Sequence, residues 1–170
     1  METDPAQGET KISADNAAKA DIAYSPREII QRFEDVFASL DLKKELSVLG
    51  HRLDSFFRRK RSLREFTALN IALWELALES SFPGQKEEIV RMFVGNSPLP
   101  GQGAKRKTLL QRVELYEGLL RLKKHTDFTP VAVYMAGYFS GDAESRKTLQ
   151  LKLSLTIRRS YQFIFDHLIP

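Results

Sequence analysis

The chain has 170 residues, 42% of them hydrophobic and 28% charged, with a net charge of +4 and no cysteine. That is enough length and apolar content for one domain with a proper core, while the missing cysteines exclude disulfides, zinc–thiolate sites and cysteine nucleophiles. The longest uncharged run, the 14 residues Phe128 to Gly141, is too short to span a bilayer. The acidic N-terminus lacks the pattern of a secretory signal, so the expectation is a cytoplasmic protein with no membrane partner.

Charge is unevenly distributed. Segment 51–64 carries six bases and one acid, a net of +5, and segment 104–124 carries seven bases and two acids, again +5. Residues 1–25 have a net of −3. Such asymmetry draws a polyanion or marks solvated surfaces.

Residues 1–24 hold few large apolar side chains and are expected to form a disordered acidic tail. Residues 25–170 are expected to form a single helical domain. Ser25-Pro26-Arg27-Glu28 reads as a capping box with proline at N1, followed by Ile29, Phe33, Val36 and Leu40 at helical spacing. A second helix is expected from about Asp41, carrying Leu42, Leu46, Leu49, Leu53 and Phe56 across Gly50. Arg58-Arg59-Lys60-Arg61 interrupts that pattern, and Ser62-Leu63-Arg64-Glu65 reads as a second capping box opening a third helix over 63–80. Apolar residues nearly encircle this helix, as expected of a central buried element. Phe82-Pro83-Gly84 ends it, and a short helix over 85–94 follows with Ile89, Val90, Met92 and Phe93.

Gly95 to Gly103 forms a loop with two prolines and three glycines. The next helix, 104–124, shows Leu109, Leu110, Val113, Tyr116, Leu119, Leu120 and Leu122 at helical spacing. Thr129-Pro130 opens a short apolar segment. Over 148–157 the sequence TLQLKLSLTI alternates like a half-buried strand, so 131–139 and 149–157 read either as a hairpin or as two helices. The longer stripe Leu149, Leu153, Ile157, Tyr161, Ile164, Leu168 favours a helix over 143–167, capped by Asp142. The fold class is therefore all-α, an irregular bundle of six or seven helices.

Chemical motifs are scarce. Gly101-Gln-Gly-Ala-Lys-Arg-Lys-Thr108 resembles a phosphate loop in outline. However, Arg106 stands where the second glycine must let the backbone curl around phosphate, and no strand pattern precedes it. His51, His125 and His167 have no metal-ligand spacing. Glu75 and Glu79 share a face and read as solvated carboxylates rather than an acid/base pair. The link from 63–80 to 85–94 has the spacing of a helix-turn-helix, but Glu87 and Glu88 give its second helix the wrong surface for a major groove. No catalytic residue, metal or cofactor is implied. What remains is Arg58, Arg59, Lys60, Arg61 and Arg64 at one expected helix start and Lys105, Arg106 and Lys107 at another, both against the helix dipole.

Two readings follow. The first is a non-enzymatic helical interaction or adaptor protein with a protein partner. The second is a nucleic-acid-binding protein using these eight cations on phosphates, with Phe56 and Phe57 as adjoining core or stacking groups. The second requires both basic segments to lie on one face, and the acidic tail is expected to compete for it.

Overall fold

The computed structural model describes residues 24–40, 46, 56–96, 103–123, 127–140 and 142–168. Within these it is all-helical: α1 (Pro26–Ser39), α2 (Phe56–Ser81), α3 (Lys86–Asn96), α4 (Ala104–Arg121), α5 (Thr129–Phe139) and α6 (Ala143–Leu168). The expected tail lies outside the described residues apart from Tyr24. So does most of the expected second helix, of which Leu46 is described, helical and buried. His51, His125 and the side chains of Phe56 and Phe57 also lie outside them.

Local signals set most of the helix ends. The Glu28 backbone N–H donates to Ser25 Oγ at 3.3 Å, and the Ser25 N–H donates to Glu28 Oε2 at 2.8 Å, completing the capping box. Those bonds hold the Glu28 carboxyl below its usual range. Asp142 Oδ1 accepts from the Ser145 N–H at 2.7 Å at the start of α6. Asp127 does the same for the Thr129 N–H at 3.0 Å, just ahead of Pro130 in α5.

At Ser62 the expectation fails. Helix α2 runs unbroken from Phe56 to Ser81, so Arg58–Arg61 are helical and Ser62 is not a cap. Its hydroxyl is buried, with no hydrogen-bond partner among the described residues. Nothing between residues 56 and 81 stops a helix, since no glycine or proline occurs there. A serine and glutamate three apart satisfy the capping pattern only where the chain actually turns.

Helix α2 is the hub, with every residue from Glu65 to Leu78 buried. Helix α4 lays its Leu109, Val113, Tyr116, Leu120 stripe toward the core. On α2, Trp74 is stacked on Phe33 of α1 at 4.4 Å and meets Phe93 of α3 edge-on at 4.9 Å. Helices α5 and α6 form a helical hairpin rather than a strand hairpin. Leu153, Ile157, Ile164 and Leu168 of α6 are buried, with Leu149 and Tyr161 packed beside them. Leu151 and Leu155, which the alternation would have put on the same face as Leu153, are 70% and 66% exposed. One core cluster joins buried residues of all six helices.

Candidate functional site

Helices α2 and α4 lie side by side, and their polar contacts advance in the same direction along both. Glu65 meets Arg112 and Tyr116, while Glu79, fourteen residues on, meets Arg121. The two helices therefore run parallel. Arg58 stands seven residues before Glu65, and Lys105 stands seven before Arg112. At a rise of about 1.5 Å per residue, each lies roughly 10 Å back along its own helix. The two basic segments consequently point toward the same end of the bundle.

The joint that fixes this register is a buried polar network missed by the sequence reading. Glu65, whose side chain is fully buried, accepts from Tyr116 Oη at 2.8 Å and Tyr138 Oη at 3.3 Å, and pairs with Arg112 Nε at 3.1 Å. Arg112 Nη1 also donates to Tyr134 Oη at 2.9 Å. A buried carboxylate without such partners would cost several kcal/mol, so the three contacts are a condition of its burial. The cluster perturbs its members. Burial, then the Glu65 charge, pushes the Tyr116 hydroxyl well above its ordinary value. Burial opposes the charge of Arg112, but Glu65 and the tyrosines outweigh it and hold the guanidinium protonated more firmly than usual. The one signal in the sequence was a charged residue opening the encircling apolar run of α2, and it also fitted a cap.

Of the eight predicted cations, Arg61 is engaged inward. Its Nε donates to Tyr138 Oη, and its guanidinium carbon stands 4.2 Å from the centre of that ring. Arg58 and Lys60 are exposed but take part in interactions of their own. Arg59, Arg64, Lys105 and Lys107 are exposed, with no ion pair among the described residues. Arg106 is half-buried, and its Nη2 has no hydrogen-bond partner among the described residues. Neither α2 nor α4 has an acid in the first turn described for it, and at α4 Lys105, Arg106 and Lys107 meet the positive end of the helix.

The phosphate-loop outline fails on local geometry as well. Helix α4 has already begun at Ala104, after Gly103 at φ 58°, and the Lys107 N–H donates to the Gly103 carbonyl at 3.1 Å. The Thr108 hydroxyl donates to the Ala104 carbonyl at 2.9 Å. The positions just ahead of Lys107 that would form an open cradle are thus already helical from Ala104 on.

Glu75 is a second correction. It is buried rather than solvated and faces Glu117 across the α2–α4 seam. Burial first, then the hydrogen bond and charge of Glu117, push its carboxyl up to about 8. Lys86 bridges Glu79 at 3.0 Å and Glu117 at 3.6 Å, and Arg121 reaches the same two acids at 3.2 and 3.5 Å. The Lys86 bond holds Glu79 below its usual range.

No group of three metal-ligating side chains occurs among the described residues. A shallow hollow between α1 and α6, lined by residues that include Phe33, Ile164 and His167, has no enclosed room even for a water-sized group. No helix among the described residues is long and apolar enough to cross a membrane. Compared with known protein families, curated proteins and solved structures, the chain matches none.

Proposed function

We propose that this chain is a non-enzymatic helical interaction protein, and that the end where α2 and α4 begin contacts the phosphates of a nucleic acid. The observation that carries this reading is the shared direction of the two helices, which brings the five cations between residues 58 and 64 and the three at 105–107 toward one end of the bundle. Arg59, Arg64, Lys105 and Lys107 are the cations with charge to spare there. Such contacts neutralise backbone without reading bases, so affinity is expected to be broad in sequence and steep in salt.

Titration against generic duplex DNA and single-stranded RNA at two salt concentrations tests it. Each phosphate contacted contributes about −0.9 to the slope of log K against log salt on duplex DNA. The variant Arg59→Glu/Lys107→Glu should bind at least about tenfold more weakly and with a shallower slope. A flat salt response removes the reading. A protein partner is the second reading, favoured by the exposed leucines of α6.

A further inference from the structure

The alternating stretch of α6 leaves a surface that helix packing does not require. Along an α-helix, Leu149, Leu153 and Ile157 suffice to face the core. Leu151 and Leu155 then stand one turn apart on the opposite side, 70% and 66% exposed. Scattered exposed leucines are ordinary, but these two sit inside a frame of bases. Lys147, Lys152, Arg158 and Arg159 are exposed around them, within an arc of roughly 140° at 100° per residue. None of the four has an ion pair among the described residues. Between Glu144 and Asp166 the helix contains no acid at all.

We propose that this face of α6 docks an acidic amphipathic helix of a partner protein. Two leucines at i and i+4 present the ridge that a second helix packs against, and the bases on either side require glutamate or aspartate flanking the partner's apolar stripe. Charge disfavours a second copy of the chain, because two such faces laid together would set four bases against four, with the acids of that side, Glu144 and Asp166, only at the ends of the helix. This surface stands on α6 alone and uses none of the eight cations at the starts of α2 and α4.

The test uses the full chain and a synthetic helical peptide with leucines every three or four residues on one face and glutamates on both sides of them. Binding is read by fluorescence anisotropy. The wild type should bind this peptide but not its lysine-for-glutamate counterpart. Leu151→Ser/Leu155→Ser and Lys152→Glu/Arg159→Glu should each weaken binding at least about tenfold, with unchanged circular dichroism because all four positions are at the surface. Lys105→Glu/Lys107→Glu should leave peptide binding unchanged while reducing binding to nucleic acid, so the two surfaces fail independently. Equal peptide binding by the leucine variant and the wild type would overturn the proposal. So would uptake onto phosphatidylserine vesicles without peptide binding, or dimerisation through α6 that the leucine variant abolishes.

Discussion

Two glutamates on α2, ten residues apart, are both buried against α4, and their fates differ. Glu65 finds Arg112 at 3.1 Å and two tyrosine hydroxyls, so its buried charge is matched. Glu75 finds another acid, Glu117, with Lys86 and Arg121 shared between Glu117 and Glu79, and its carboxyl is pushed up to about 8. The two carboxyls are buried alike, and what distinguishes them is the sign of the group each meets across the seam. The matched site holds the helices in register toward the basic end, whereas the mismatched site makes the other stretch of the same seam sensitive to pH.

The largest effect should come from breaking the matched site. Arg112→Met leaves Glu65 buried without its cation and should cost about 3–5 kcal/mol in urea unfolding at neutral pH. A loss below about 1 kcal/mol would mean that the tyrosines alone carry the carboxylate.

The mismatched site is sharpened by titration. Glu75 has a folded value of about 8 against 4.5 in the unfolded chain. The folded form thus holds a proton that the unfolded form releases, and the contribution is fully present below pH 4.5. It is lost as pH rises through 8. Glu75→Gln mimics the protonated acid and should flatten the decline between pH 5 and 9, gaining on the order of 2–3 kcal/mol over the wild type at the alkaline end. Parallel stability curves for the two proteins would rule this out. Glu28, Glu79, Asp127 and Asp142 have lowered values, so their contributions disappear only on the acid side, as pH falls.

Tyr116→Phe gives the smallest change. It removes one hydroxyl from Glu65 and keeps the ring in the core, so a loss of about 1–2 kcal/mol is expected, with little change in the Arg112 pair. Combining it with Arg112→Met should give less than the sum of the separate losses, because both act through one carboxylate.

Much of the helix layout was legible because its causes are local. Ser25 and Glu28, Asp142, and Thr129-Pro130 mark starts whose bonds span at most three residues. The stripe from Leu149 to Leu168 settled a helix against its own strand-like alternation, since a helix needs only every third or fourth residue inside. The misreading at Ser62–Glu65 has the opposite cause. The pattern is local, but Glu65 is claimed by Tyr116, 51 residues away, and by Tyr138, 73 residues away.

The candidate cations were visible in the sequence, and their grouping was not. Charge density at 58–64 and 104–107 is a property of the chain, whereas the common end follows from α2 and α4 running parallel. By itself the sequence determined an all-α fold and the faces of most of its helices, because periodicity and caps act within a few residues. Tertiary structure alone decided which acids are buried, and which one meets a cation and which an acid. Those outcomes depend on contacts between residues far apart in the chain, and no local pattern encodes them.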